Sequence, residues 1–277
     1  MNPRTAFLLI GLAGVAVVPL AAQFNFGKIN ETLQKAKETA TKVKDTADSA
    51  AKVAKGVAGI GIEEENTLGD SVAVEVIARY GGVVRDEAVT KRVNLVGKAL
   101  AHYSKRPALD WRFGVLASDT VNAFSAPGGS VFITQGLYDL VGDSDDALAA
   151  VLAHEIAHIT ERHALKIIER GELLAGAGDF AQRSSDFRQT EAQLRQFDLS
   201  IEEMMRALFE KGFDPQTEYA ADRLGRQLAV TTGYAPGALR QVLTRLQTRK
   251  GAEAKAVFST HPPLAERIRR LPADKSE

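Results

Sequence analysis

Cysteine is absent from all 277 residues. That excludes disulfides, thiolate metal sites, thiol catalysis and a lipid-bearing N-terminal cysteine. It leaves the redox compartment open, since a cysteine-free chain works in either. An excess of charge is missing too: 35 basic residues balance 35 acidic ones. Net charge therefore points to no nucleic-acid or acidic-surface partner. Histidine is scarce, with five in the whole chain. Long apolar runs are lacking except for Ala6 to Ala22, which follows Arg4. That run is short of the roughly 20 apolar residues of a membrane span. It ends in Leu20-Ala21-Ala22, whose alanines suit a signal peptidase. Residues 1–22 therefore read as a cleaved secretory signal, with an uncleaved anchor as the alternative.

What is present suits a globular protein. Hydrophobic residues make up 45% and charged residues 25%, enough to bury a real core in one large domain or two small ones. Residues 23–62 are rich in Lys, Ala, Thr and Asp, with large apolar side chains only at intervals. They read as a polar helical spacer that buries little; the alternative is a surface helix touching a membrane or partner. Residues 63–277 form the expected catalytic domain. Helices are predicted over 70–80 and 86–104, the second with Val89, Val93, Val96 and Leu100 on one stripe and Gly97 as an interruption. Alternation predicts a strand over 111–116; 121–125 reads as a second extended stretch and 130–134 as another strand, with Pro127-Gly128-Gly129 as the turn between them. A helix capped at Asp143 or Ser144 is expected to run to about Arg170. Polar helix is read over 172–210. Asp214-Pro215 starts another helix, followed by helices over 236–249 and 263–271. The predicted class is α+β, mainly α, with a small sheet of three or four strands packed on the helix that carries His154 and His158.

The chemistry gathers in three segments: His154-Glu155-Ile156-Ala157-His158, Glu218-Tyr219-Ala220-Ala221-Asp222 and Thr260-His261-Pro262-Pro263. Histidines four residues apart share one side of a helix and can reach a single ion. Glu155 projects about a third of a turn away, placed to touch a metal-bound water without binding the metal. This is the H-E-x-x-H arrangement of a zinc metallopeptidase. A catalytic zinc takes three protein ligands and keeps one position open. No further histidine of the same motif can be the third, because Glu161 and Ala164 stand where a glycine and a histidine are needed. His163 lies half a turn from His154 and is expected to point away from the metal. Glu218, one turn into a second helix, is the third candidate. Asp222, four residues on, is placed to accept the outer N–H of a ligand histidine; its bland alternative is an ion pair with Arg226.

Such a zinc lowers the pKa of its water to around 7. Glu155 then takes the proton and returns it to the leaving amine. His261 is the first candidate to stabilise the oxyanion, with Tyr219 second. His261 could instead fill the fourth position of the zinc in a latent form, which would make its loop a gate. Asn122, Ala123 and Phe124 precede the turn and are the candidate sheet edge for an extended peptide; the alternative is a plain hairpin.

On these segments, with Arg162-His163 and Arg267-Ile268, the chain resembles the HtpX/BepA/LoiP group of gluzincin metallopeptidases, the family that also holds the CAAX prenyl protease. The resemblance covers roughly residues 63–272. It implies a zincin-like fold, one zinc ion held by His154, His158 and Glu218, Glu155 as catalyst, and a role in protein quality control at bacterial envelopes. HtpX-like members carry several membrane spans, BepA-like members continue into helical repeats and LoiP-like members are lipoproteins, unlike this chain. The expectation is therefore a compact soluble endopeptidase in the periplasm, secreted across the inner membrane, acting on unfolded or misassembled envelope proteins. The alternative location is a membrane anchor with the catalytic domain in the periplasm. Unfolded polypeptides are the expected partners, with at most a peripheral contact to membrane or outer-membrane assembly. The alternative function is a chaperone-like assembly factor that keeps the zinc-peptidase fold and cuts little.

Overall fold

A computed structural model describes residues 60–167, 205–206, 211–248 and 261–272. The readings for residues 1–59, for most of 172–210 and for Thr260 lie outside the described residues. The elements are α1 (Ile62–Arg79), α2 (Glu87–His102), β1 (Arg112–Leu116), β2 (Ala123–Ala126), a 3-10 turn (Pro127–Gly129), β3 (Ser130–Thr134), α3 (Gln135–Val141), α4 (Asp145–Thr160), α5 (Pro215–Thr231), α6 (Ala238–Thr248) and α7 (Leu264–Arg270). The class is α+β and mainly helical. No described helix is long and apolar enough to cross a membrane.

The sheet has three strands in the order β1-β3-β2, with β1 parallel and β2 antiparallel to β3. Its residues are almost wholly buried, because helices cover both faces. Alternation along β3 divides the core: Val131 and Ile133 join the cluster built on α2, α4 and α6, while Phe132 joins the one built on α1. β2 lies at one side of the sheet. β1 at the other side is met by the segment before α2, where Val84 N–H donates to the Val115 carbonyl at 2.8 Å and Ala117 N–H to the Gly82 carbonyl at 2.9 Å.

α4 runs through the middle. Its residues from Ala147 to Ile159 are all buried. Leu148, Leu152 and Ile156, spaced by one turn, are fully enclosed, and each such side chain stabilises the fold by roughly 1.5–3 kcal/mol. Ser144 caps the helix by accepting from Ala147 N–H at 3.2 Å, and Asp145 and Asp146 occupy the first turn, where the helix dipole favours negative charge. Gly97, read as a costly interruption of α2, has a packing reason. A Cβ there would stand 2.5 Å from the Phe113 ring of β1, so only glycine lets α2 lie on the strand.

Three local expectations need correction. α1 begins at Ile62 rather than near residue 70. α3 was not foreseen; Thr134, the last residue of β3, caps it through Leu137 N–H. Above all, α4 stops at Thr160 instead of running to about Arg170. The chain turns through Glu161 and Arg162, whose φ is 57°, and re-enters helix at His163.

Candidate active site

Two helices build the site. α4 supplies His154, Glu155 and His158. α5 supplies Glu218 and Asp222. α5 is started by Asp214, whose carboxylate accepts from Gln216 and Thr217 N–H at 3.1 Å, with Pro215 in the first turn. Glu218, Asp222, Gly225 and Ala229 share its buried face, at steps of four, three and four. Gly225 is what lets that face come so near. A Cβ on it would stand 2.7 Å from the backbone nitrogen of His154. The two helices thus touch main chain to main chain at the first histidine, and the carboxylates one and two turns earlier on α5 are carried to the imidazoles.

The donor atoms converge. His154 Nε2 and His158 Nε2 are 3.1 Å apart. Glu218 Oε2 lies 3.6 Å from the first and Oε1 lies 3.8 Å from the second. Ligands of a tetrahedral zinc, at 2.0–2.2 Å from the ion, stand roughly 3.3–3.6 Å from one another. These separations are close to those expected between ligands of one such site. Glu218 has no exposure, and its Oε1 has no hydrogen-bond partner. An orphaned carboxylate oxygen at that depth costs several kcal/mol unless a cation stands beside it. These residues fit a divalent metal.

His261 completes the cluster from the segment before α7. Its Nδ1 is 2.8 Å from Glu218 Oε2. Ligand atoms of His154, Glu218 and His261 lie within 4.8 Å of one another. This second triad shares the His154–Glu218 edge with the first, so the four side chains form two triangles on a common side.

The supports of the two imidazoles differ. His154 Nδ1 is 2.9 Å from Asp222 Oδ1. Asp222 is gripped by Arg267 of α7, whose Nε and Nη2 donate at 2.9 and 2.6 Å. Both partners are buried. The expected alternative, a pair with Arg226, does not form; Arg226 donates to the Pro236 carbonyl. His158 Nδ1 instead meets His163 Nδ1 at 3.0 Å, and the Phe213 ring stacks on it at 4.5 Å.

Charge and burial tune the cluster. Burial alone would lower the His154 pKa, yet the carboxylates of Asp222 and Glu218 overrule it and push it up to about 10. Burial holds His158 well below the ordinary imidazole value despite Glu218. Burial would raise Glu218, but His261 and the hydrogen bonds of His154 and His261 hold it well below the usual carboxylate range. Asp222 is likewise lowered: Arg267 outweighs the burial. A pocket so rich in negative charge draws a proton or a cation. Glu155 moves the other way. Burial raises it, with only partial relief from His154, His261 and a hydrogen bond to Ser125.

Asn122, Ala123, Phe124 and Ser125 line the same cavity as Glu155, His158, Phe213, Glu218 and His261. The candidate edge, Glu155 and the Glu218 carboxylate thus face one space. Tyr219 does not join them: its ring lies under the Arg270 guanidinium at 4.2 Å, one residue around α5 from the site. His163 and Arg267 are the residues that sequence reasoning missed. His163 was expected to point away, and it would on an unbroken helix. Arg267 gave one usable signal: a buried Asp on α5 requires a cation, and the segment after Pro262-Pro263 is rich in arginine.

The model of peptidase family M48 matches residues 87–275. The chain belongs to peptidase family M48. It is 29% identical over 216 residues to the mitochondrial metalloendopeptidase OMA1 of Schizosaccharomyces pombe, a match covering 76% of this chain and 61% of that protein. It is 26% identical over 208 residues to the beta-barrel assembly-enhancing protease of Escherichia coli, covering 73% and 42%. Over 218 residues it is 24% identical to metalloprotease YcaL of the same organism, covering 79% and 78%. The chain thus spans less than two thirds of the length of the first two of these relatives. Among solved structures it is similar to Ste24p of S. mikatae, with a TM-score of 0.34 and 19% identity, covering 64% of this chain and 49% of that one. The chain is thus a member of a peptidase family, and the buried triad fits a divalent metal.

Proposed function

We propose that the chain is a zinc-dependent endopeptidase that cleaves unfolded or misassembled proteins of a bacterial envelope, with its catalytic domain in the periplasm. The observation that carries the chemistry is the unexposed Glu218 carboxylate, whose Oε2 lies near His154 and whose orphaned Oε1 lies near His158. Those three residues would hold one zinc ion. When bound, the ion supplies an acidified water and polarises the scissile carbonyl. Glu155 lines the cavity beside the triad and is buried, so its raised pKa suits a group that takes a proton and returns it to the leaving amine. Asp222 and Arg267 keep His154 in place. His261, hydrogen-bonded to Glu218, stands where it can donate to an oxyanion or fill the fourth position at the metal.

Substrate would lie along β2. Backbone groups alternate across an antiparallel pair. Thr134 N–H donates to the Asn122 carbonyl, so Ala123 turns its own groups to the outer side of the strand. There Asn122 Oδ1 accepts from Ala123 N–H at 2.9 Å. An extended peptide that took this N–H would displace the Asn122 side chain onto its own backbone. Recognition by main chain suits unfolded segments of many sequences. The quality-control role draws on the likeness to the beta-barrel assembly-enhancing protease, and the periplasmic location on residues 1–22.

The test is degradation of a denatured protein such as casein by the zinc-loaded chain, with and without chelator, beside Glu155→Gln. Loss of activity on chelation, and a fall of about 10²–10⁴-fold in the variant, is expected. If parent and variant both bind zinc and are equally inert, the chaperone-like alternative stands instead. A mature N-terminus near Gln23 supports secretion; an intact Met1 refutes cleavage.

A further inference from the structure

The outer nitrogen of a metal-binding imidazole normally has a fixed partner, and that partner decides which nitrogen is free for the metal. For His154 it is Asp222. For His158 the structure offers a second imidazole. His158 Nδ1 and His163 Nδ1 are 3.0 Å apart, and both rings are buried. Two ring nitrogens at that distance share one proton. With the proton on His158 Nδ1, that ring donates, His163 accepts, and His158 Nε2 keeps a lone pair aimed at the point between His154 and Glu218. With the proton on His163 Nδ1, neutral His158 must carry its own on Nε2, and that nitrogen leaves the donor set.

The backbone is shaped to make this contact. On a continuous helix His163 would sit about 140° around from His158 and could not reach it. The break after Thr160 re-aims it. Arg162 takes a left-handed φ of 57°, a conformation that is strained for a non-glycine residue. Its Nη2 donates to the Ile60 carbonyl at 2.6 Å, which ties the turn to the start of α1. Phe213 then closes over both rings, stacked on His158 and tilted at 56° to His163 with centroids 5.9 Å apart. We infer that His163 is a positioning residue that accepts the Nδ1 proton of His158 and so holds it in the metal-binding tautomer. This rests on the metal-site reading above.

The full chain, freed of metal and reloaded with zinc, is titrated against a competing chelator beside His163→Leu and His163→Gln. His163→Leu should weaken zinc binding by about 10–100-fold. His163→Gln, whose amide oxygen can accept the proton, should recover most of that loss. Equal zinc affinity in parent and His163→Leu overturns the inference and leaves the metal site standing. Failure of the parent itself to bind zinc overturns both. Should His163→Leu not fold, proton–nitrogen correlation spectra of the zinc-loaded parent decide the matter. They are expected to show His158 protonated at Nδ1 and His163 at Nε2, and a proton on His163 Nδ1 contradicts the assignment.

Discussion

The two ends of the H-E-x-x-H segment are held by opposite physics. His154 is tied by charge to distant parts of the chain: Asp222 on α5 and, through it, Arg267 on α7. His158 is held by two ring contacts, with His163 just beyond the end of α4 and Phe213, from the segment before α5, lying over the ring. The first arrangement makes the site depend on tertiary assembly. α5 and α7 must both dock before the His154 side is complete. The second makes it depend on how one helix ends. A site so divided couples metal affinity to the fold at one histidine and to local backbone geometry at the other.

Breaking the charged side should have the largest effect on stability. Arg267→Leu leaves Asp222 buried without its cation, and losing one member of such a pair costs about 3–5 kcal/mol. Denaturant unfolding of the metal-free protein measures it, and a loss below about 1 kcal/mol would contradict the weight given to this pair. Gly225→Ala comes next. The new methyl group meets the main chain of His154, which has no flexible end to yield. About 1–3 kcal/mol of stability should go, and zinc affinity with it, since Glu218 and Asp222 move as α5 shifts. Unfolding and chelator competition on the same samples would show whether the two losses travel together. The smallest effect should come from Arg269→Ala. Arg269 and Arg267 share α7, but Arg269 pairs with Glu266 on the surface, where water screens the pair. No measurable change in the unfolding midpoint is expected. A change as large as that of Arg267→Leu would mean that α7 matters as a helix and that its buried guanidinium is nothing special.

Much of this was legible in the sequence because it is local. The spacing of His154 and His158 and the Ser144 and Asp214 caps are short-range features, and each appears where periodicity and capping place it. Glu218 and Asp222 were legible as a pair because four residues on a helix share a face. The remainder is set by long-range approach. That Asp222 meets Arg267 and not Arg226 depends on where α7 docks, which no spacing encodes. Gly97 looked like a defect until the Phe113 ring was seen against it. His163 points away from the metal site only on an unbroken helix, and α4 ends at Thr160. The left-handed Arg162 that breaks it carries no glycine or proline to mark it.

The account rests on one ion gripped by two imidazoles of α4 and the carboxylate of α5. Equilibrium dialysis against zinc, on the full chain and on Glu218→Ala, tests it most directly. The expected result is one ion per chain in the parent and an affinity at least 100-fold weaker in the variant, with both remaining folded. A variant that held zinc as tightly as the parent would contradict the account, because α5 would then contribute nothing to the grip.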